Sequence, residues 1–185
     1  MILGIVTARL GSTRLPAKAL LPIAGVSMVE YVYWNLWESN VDGAVLCTLD
    51  SFFADCCPFR VIVWASDRDV TGELRAAADI YHADHVVRVT ADCPFVTSEI
   101  INRVIVEHLE SGADYTYNHN DNLFSVTPEG IDVEVVTYAA LQKLRGKEHL
   151  YNGEDIKIHR VDMEEEREVF SVNTLTDYIK AFKLL

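Results

Sequence analysis

The fold is decided by one stretch near the start of the chain, Leu3-Gly-Ile-Val-Thr-Ala-Arg-Leu-Gly-Ser-Thr-Arg-Leu-Pro-Ala-Lys18. Its apolar first part, with the two residues before it, predicts a buried strand over residues 1–6. The strand opens into a loop that carries three cations, Arg9, Arg14 and Lys18. Small residues let backbone N–H groups approach an oxyanion, and Arg and Lys neutralise its charge. The stretch therefore predicts a polyphosphate-binding loop at the end of a buried strand.

Within this loop, Gly11 and Ser12 can bring backbone N–H groups and a hydroxyl to a phosphate oxygen. The loop is neither a G-x-x-x-x-G-K-[ST] loop nor a G-x-G-x-x-G dinucleotide fingerprint. The alternative interpretation is a surface loop whose cations are merely solvated. Its place directly after the first strand, where open α/β sheets bind their ligands, favours a functional role.

Composition limits the class of partner. The chain has 185 residues, half of them hydrophobic, which suits a single domain over residues 1–185 with a sizeable core. Its formal net charge of −12 argues against a nucleic-acid polymer or an anionic membrane, because a phosphate backbone needs a broad basic surface. The four cysteines show neither C-x-x-C nor zinc spacing, and we find no signal peptide or bilayer span. We therefore expect a reduced, cytoplasmic protein that binds a small anion.

Apolar periodicity predicts an alternation of strands and helices. Helices are predicted over residues 28–38, 70–81, 98–109, 138–144 and 174–184, and further strands over 43–49, 60–65, 85–89, 113–117, 132–136 and 156–161. Ser27 and Glu30 have capping-box spacing at the first helix, and residues 50–58 are short for a crossover helix. This pattern predicts an α/β fold, a single-domain three-layer α/β/α sandwich with a mostly parallel sheet.

Three acids and one arginine are further candidates for the site. Asp92 follows the strand predicted over 85–89, so it should lie at the same sheet edge as the first loop, as a metal ligand or a turn residue. Asp132 and Glu134 lie two apart on a predicted strand, so they either share a face toward the cleft or form a polar strand face. Arg88 could contact a ligand's ribose or phosphate, or pair with a neighbouring acid.

Six short motifs follow one another over nearly the whole chain. They are Ala8-Arg-x-Gly-Ser-Thr-Arg-Leu-Pro-x-Lys18, Leu20-Leu-Pro-Ile-Ala-Gly-Val-Ser-Met28, Val87-Arg-Val-Thr-Ala-Asp-Cys-Pro-Phe95, Gly130-Ile-Asp-Val-Glu-Val135, Glu148-His149 and Ser171-Val-Asn-Thr-Leu-Thr-Asp177. This set resembles the CMP-sugar cytidylyltransferases, which include the CMP-Kdo and CMP-sialate synthetases, and most of all the spore-coat-polysaccharide-type, SpsF-like cytidylyltransferases. The resemblance implies a nucleotide-diphospho-sugar transferase-like, Rossmann-related fold.

The resemblance also implies an activity. A cytidylyltransferase would move CMP from CTP to a small sugar acceptor, an ulosonic or nonulosonic acid, and release pyrophosphate, in surface polysaccharide biosynthesis. Mg²⁺ would be the cofactor, because charge at the α-phosphate and the leaving pyrophosphate must be offset. The implied nucleotide-binding residues are Ala8, Arg9, Gly11, Ser12, Arg14, Lys18 and Arg88; the implied catalytic residues are Arg9, Arg14, Lys18 and Asp92; and the implied acceptor-side residues are Asp132, Glu134, Glu148 and His149. Relatives dimerise, often through the region after the loop at 118–129, which makes a homodimer possible.

One motif departs from the family. Its closing motif usually reads Val-Asp-Thr-Pro-Glu-Asp, and the first Asp helps to bind the catalytic cation, whereas this chain has Asn173 there. Asp92 and Asn173 are thus the predicted metal ligands, with weaker affinity unless Asp132 or Glu134 compensates, because Asn brings an oxygen without charge. Two alternatives follow: a nucleotide-binding homologue with weak or lost catalysis, and a nucleotidyltransferase that uses another NTP or a phosphorylated acceptor.

Overall fold

The structure, a computed structural model, describes residues 1–64, 70–119, 126–144 and 156–185. The strands in these ranges are β1 (Ile2–Ala8), β2 (Pro22–Ile23), β3 (Val26–Ser27), β4 (Gly43–Thr48), β5 (Val61–Val63), β6 (His85–Thr90), β7 (Tyr115–Tyr117), β8 (Val133–Thr137) and β9 (Ile158–Arg160). The helices are α1 (Met28–Trp37), α2 (Phe52–Cys56), α3 (Val70–Tyr81), α4 (Ser98–Ser111), α5 (Tyr138–Lys143) and α6 (Leu175–Leu184).

The main sheet has seven strands in the order β5-β4-β1-β6-β8-β7-β9 within the described residues. Strands β5, β4, β1 and β6 run parallel to one another, whereas β8 is antiparallel to both of its neighbours. Strand β7 is parallel to β9. Parallel strands place their carboxyl ends at one edge, so the segments after β1, β4 and β6 all emerge on the same side of the molecule.

Two hydrophobic cores cover the two faces of this sheet. One contains buried side chains of α1, α4 and α6, and the other contains those of α3 and α5. Neighbouring residues of one strand belong to different cores: Val6 of β1 lies in the first core and Ile5 in the second. This alternation follows from the two-residue period of a strand. The predicted three-layer α/β/α sandwich with a mostly parallel sheet is confirmed.

Helix α1 shows how a local sequence pattern sets an element. The Ser27 side chain accepts from the Glu30 N–H, and the Glu30 carboxylate accepts from the Ser27 N–H, so the predicted capping box is confirmed. The helix crosses β1 closely, because a Cβ on Gly4 would lie only 2.9 Å from Leu36 Cγ. A glycine in the first strand therefore lets α1 pack directly against the sheet.

Several element bounds differ from the predicted ones. The 50–58 connection contains the five-residue helix α2, which agrees with its shortness. Strand β8 begins at Val133 rather than at Asp132, so Asp132 precedes the strand. Thr97 is the N-cap of α4, where its side chain accepts from the Ile100 N–H.

The longest helix in the described ranges has 14 residues. No helix in these ranges is both long enough and apolar enough to cross a bilayer.

Two hydrogen-bonded histidines, the buried His108 and the half-buried His85, lie at the end of the sheet opposite the first loop. His85 Nδ1 is 3.0 Å from His108 Nε2, and His108 Nδ1 is 2.9 Å from Thr116 Oγ1. His108 is only 1% exposed. Burial, and then the neighbouring His85, lowers the pKa of His108 from 6.5 to about 4, and burial also lowers the pKa of His85. Both rings are therefore neutral in the folded protein at neutral pH.

We expect the pair of His85 and His108 to make the folded protein sensitive to acid. Below about pH 6.5 the unfolded chain takes up protons at histidines that resist protonation in the folded state, so the stability that these two histidines contribute is full above that pH and falls toward pH 4. The loss through His108 should be about 2 kcal/mol between pH 7 and pH 5. Denaturant unfolding at both pH values measures it. His108→Leu should flatten the pH dependence, whereas His82→Asn, at an exposed histidine, should not; equal losses in both variants would contradict the assignment.

Candidate active site

The loop after β1 is curled around one backbone carbonyl. Leu10 O accepts from the N–H groups of Ser12 at 2.9 Å and Ala17 at 3.0 Å. Leu10 N–H donates to Asp50 Oδ2 at 2.7 Å, so the segment after β4 is hydrogen-bonded to the loop. Ala17 adopts a left-handed backbone conformation, with φ of 55°, just before the short 3-10 helix Lys18–Leu20. This turn directs Lys18 inward, while Arg14 stays exposed.

Asp92 lies beside this loop, after the end of β6. Ala91 N–H donates to Thr7 O at 3.0 Å, which extends the parallel pairing of β6 with β1. Val172 N–H donates to Asp92 O at 2.7 Å, so the segment that leads into α6 lies directly against the Asp92 turn. Three segments that are far apart in sequence thus meet at one edge of the sheet.

Lys18 joins these three segments through its ammonium. Lys18 Nζ donates to Asp92 Oδ2 at 2.6 Å, to Val172 O at 2.9 Å and to Asn173 Oδ1 at 3.1 Å. Arg14 NH2 donates to the same Asn173 oxygen at 2.9 Å. We call Lys18, Asp92, Val172 and Asn173 the lysine cluster. Four of the residues predicted from sequence, including Arg14, are therefore connected by hydrogen bonds.

The electrostatics of the cluster keep Asp92 charged. Burial by itself would raise the pKa of Asp92, but the charge of Lys18 and the hydrogen bonds from Lys18 and Thr90 outweigh it, so the pKa lies below its ordinary value. The Lys18 side chain is 12% exposed and that of Asp92 is 29% exposed, so the pair is only partly screened by water. Asp92 is therefore an ionised carboxylate at neutral pH.

A second carboxylate, Asp132, shares a neighbour with Asp92. The thiol of Cys93, which is 1% exposed, has its Sγ 3.9 Å from Asp92 Oδ1 and 3.9 Å from Asp132 Oδ2. Burial, followed by the charges of Glu129, Glu134 and Asp92, raises the pKa of Asp132 to about 6. Burial also raises the pKa of Cys93, which therefore stays a neutral thiol.

Arg88 and Glu134 form a buried ion pair on neighbouring strands. They lie opposite each other in the β6–β8 register, and the Arg88 guanidinium donates to Glu134 Oε2. Tyr115 Oη donates to the other oxygen, Glu134 Oε1, at 2.6 Å. Burial would raise the pKa of Glu134, but Arg88 and these hydrogen bonds hold it below its ordinary value. Of the two roles left open for Arg88, the structure contains the ion pair.

The turn before β8 depends on a glycine. Gly130 has a φ of 96°, a conformation that side chains disfavour, and a Cβ there would lie 2.1 Å from the backbone carbon of Phe170. The turn that carries Asp132 is thus in direct contact with the backbone just before Ser171. Ser171 Oγ in turn lies 3.5 Å from Cys93 Sγ.

The remaining predicted site residues are located as follows. Ala8 ends β1, and Arg9, Gly11 and Ser12 lie on the same loop as Arg14. Glu148 and His149 lie outside the described residues, as do residues 120–125 of the predicted loop at 118–129. The roles assigned to all these residues stay predictions.

The sequence interpretation missed three contributors to the site: Asp50, Cys93 and the Val172 carbonyl. Asp50 could have been found, because it follows a predicted strand and should therefore reach the ligand edge of the sheet. Cys93 could have been found in the same way, because it directly follows Asp92. The Val172 carbonyl carries no such signal, since a backbone oxygen acquires its position only from the tertiary contacts.

The oxygen atoms of the lysine cluster are suited to a hard divalent cation. A carboxylate, an amide oxygen and a backbone carbonyl converge on one point, and Mg²⁺ takes one or two carboxylates together with phosphate oxygens and water. Among the described residues, no group of three His, Cys, Asp or Glu side chains could hold a metal ion. With one carboxylate in this donor set, a ligand's phosphate oxygens would supply the further oxygen ligands that Mg²⁺ takes.

Comparison with known proteins shows the family of the chain. The family model for cytidylyltransferases matches residues 3–176. The chain is 31% identical over 147 residues to the spore coat polysaccharide biosynthesis protein SpsF of Bacillus subtilis (strain 168), and the match covers 73% of this chain and 58% of SpsF. The chain therefore spans less than two thirds of the length of that relative.

Solved structures show the same fold. A cytidylyltransferase from Leptospira borgpetersenii superposes with a TM-score of 0.79 at 24% identity, over 96% of this chain and 83% of that one. A CMP:2-keto-3-deoxy-manno-octonic acid synthetase, solved in complex with CTP, superposes with a TM-score of 0.72 at 15% identity, over 99% of this chain and 97% of that one. With the family model matching nearly the whole chain and the cationic loop joined to Asp92, this protein belongs to the cytidylyltransferase family.

Proposed function

We propose that this chain, as one cytidylyltransferase-like domain over residues 1–185, transfers CMP from CTP to a sugar acid of the ulosonic or nonulosonic type. The acceptor hydroxyl would lose its proton, its oxygen would bond to the α-phosphorus, and the bond to the leaving pyrophosphate would break. The product would be an activated sugar for a surface polysaccharide. The observation that carries the proposal is the lysine cluster, which brings Lys18 of the loop to Asp92 and Asn173.

The loop residues would bind the triphosphate. Arg9, Arg14 and Lys18 would neutralise it, and Ser12 with neighbouring backbone N–H groups would hold a phosphate oxygen. The backbone around Ala8 would border the nucleotide. The structure of a related synthetase in complex with CTP supports this choice of nucleotide.

Mg²⁺ is the proposed cofactor, with Asp92 and Asn173 as the residues that would hold it. When bound, such a cation offsets negative charge at the α-phosphate and on the leaving pyrophosphate. Asp132, which lies near the Cys93 thiol as Asp92 does, would face the acceptor. Glu134, which pairs with Arg88, is also a proposed acceptor-side residue, as are Glu148 and His149. A cytoplasmic location and a homodimer remain parts of the proposal.

A second candidate function is nucleotide binding with little or no catalysis. It is favoured by Asn173, which stands where the family usually has a carboxylate and whose oxygen already accepts from both Lys18 and Arg14. Such a protein would bind CTP through the same loop without releasing pyrophosphate.

Pyrophosphate release separates these functions. The protein is incubated with CTP, Mg²⁺ and a panel of ulosonic and nonulosonic acids, with Asp92→Asn as the matched control. We expect release with at least one acceptor and a loss of at least about 100-fold in the control, as for removal of a charge-stabilising group. CTP binding without release from any acceptor would instead support the second function. A thermal-shift series with CTP, UTP, GTP and ATP tests nucleotide choice, since only the preferred nucleotide stabilises strongly at a given concentration.

A further inference from the structure

The ammonium of Lys18 sits at the centre of the oxygen cluster. Its three N–H donors match three acceptors, Asp92 Oδ2, Val172 O and Asn173 Oδ1, at 2.6, 2.9 and 3.1 Å. The Lys18 side chain is only 12% exposed, so it is packed in this position and does not extend into solvent. Lys18 therefore occupies the point on which the oxygen ligands converge.

The charges in the cluster are already balanced without a metal ion. Asp92 brings one negative charge, Lys18 brings one positive charge, and Asn173 brings none. The Asn173 oxygen accepts from Arg14 as well, at 2.9 Å, so it has a second cationic donor. A divalent cation that approached the nucleotide-free protein would have to displace the Lys18 ammonium, which already neutralises Asp92, and would do so beside the Arg14 guanidinium; both effects are unfavourable.

We propose that Lys18 is the resident cation of this cluster and excludes divalent metal until a nucleoside triphosphate arrives. The inference rests on the proposed function only for the identity of that nucleotide. A triphosphate brings several negative charges and many oxygen acceptors, to which Lys18 and Arg14 can turn. The oxygens of Asp92 and Asn173 then become free for the metal, which enters together with the nucleotide rather than before it.

Asn173 sets this order of binding. An aspartate in its place would add a second carboxylate beside Asp92, so Lys18 and Arg14 would face one more negative charge than they do in this chain. Such a protein would attract a divalent cation without nucleotide. The asparagine therefore makes metal binding dependent on the phosphate oxygens of the ligand.

Manganese binding to the nucleotide-free chain tests the inference. Mn²⁺ is titrated into the wild type, Lys18→Met, Asn173→Asp and the double variant, and solvent-proton relaxation reports the protein-bound ion. We expect each single variant to bind Mn²⁺ at least about tenfold more tightly than the wild type, because one unit of positive charge is lost or one of negative charge is gained at close range. The double variant should bind most tightly.

Lys183→Met is the matched control, because it makes the same change of net charge at an exposed position near the far end of α6. Its Mn²⁺ affinity should equal that of the wild type. The inference is overturned if the wild type binds Mn²⁺ as tightly as Lys18→Met, or if Lys183→Met has the same effect. Lys18→Gln repeats the test should Lys18→Met fail to fold.

The effect of CTP on Mn²⁺ binding is measured in a separate experiment. Adding CTP to the wild type with Mn²⁺ should raise the relaxation signal above that of Mn²⁺ with CTP alone, since the ion then tumbles with the protein. No such rise in the wild type, together with the expected order among the nucleotide-free variants, would refute CTP binding and leave the role of Lys18 standing. A full rise with Mn²⁺ before CTP is added would overturn the role of Lys18.

Discussion

Arg14→Ala should weaken CTP binding by about 100-fold, since a guanidinium makes two charge-assisted hydrogen bonds to phosphate that together contribute about 3 kcal/mol. Arg14 is exposed, and its hydrogen bond to Asn173 places it beside the lysine cluster. Its loss should therefore affect ligand binding far more than folding. Calorimetric titration with CTP in the presence of Mg²⁺ measures the change.

The matched control is Arg103→Ala. Arg103 is also exposed and also donates to a single oxygen, the carbonyl of Asp162, but it lies on α4 away from the loop. Its replacement should leave the CTP affinity within about twofold, as for a distant surface charge. An unchanged affinity of Arg14→Ala for CTP would refute the proposal that Arg14 binds the triphosphate. Arg14 is a cleaner choice than Lys18, whose removal also frees the oxygens of Asp92 and Asn173.

Glu134→Leu should destabilise the fold by about 3–5 kcal/mol, because it removes the carboxylate to which the buried Arg88 guanidinium donates. The side chains of the pair are only 13% and 5% exposed, so water cannot replace the lost partner. Tyr115 Oη would lose its acceptor as well. Chemical denaturation of the variant and the wild type measures the difference in the free energy of unfolding.

The double variant Arg88→Met/Glu134→Leu identifies the cause. With both charges replaced by apolar groups of similar size, we expect at least half of the lost stability to return. An exposed pair provides the contrast: Glu168→Leu, which breaks the surface pair with Lys180, should cost less than about 1 kcal/mol. If the single and double variants were equally unstable, the uncompensated charge would not be the reason.

The predictions that were confirmed depend on residues close together in sequence. The apolar run at the start of the chain predicts β1, and the spacing of Ser27 and Glu30 predicts the start of α1, because a capping box involves only one turn of helix. The position of Asp92 beside the first loop was also predictable. It requires only that both strands be parallel neighbours in one sheet, which the alternation of strands and helices indicates.

The partners of the buried charges were not predictable in this way. Arg88 could equally have contacted a phosphate or an acid, and only the β6–β8 register places Glu134 opposite it. The same holds for His108, whose two partners come from β6 and β7. A buried polar or charged group needs a hydrogen-bonding partner. The local sequence does not show which residue that partner will be.

By itself, the sequence determined the alternation of strands and helices, the cationic loop after the first strand and the family to which the chain belongs. Those properties reside in local patterns and in ordered motifs. Only the tertiary structure decided that the ammonium of Lys18 lies among the oxygens of Asp92, Val172 and Asn173. The reason is that strand order and register bring together three segments separated by more than 70 residues, and electrostatics then selects which of their groups pair.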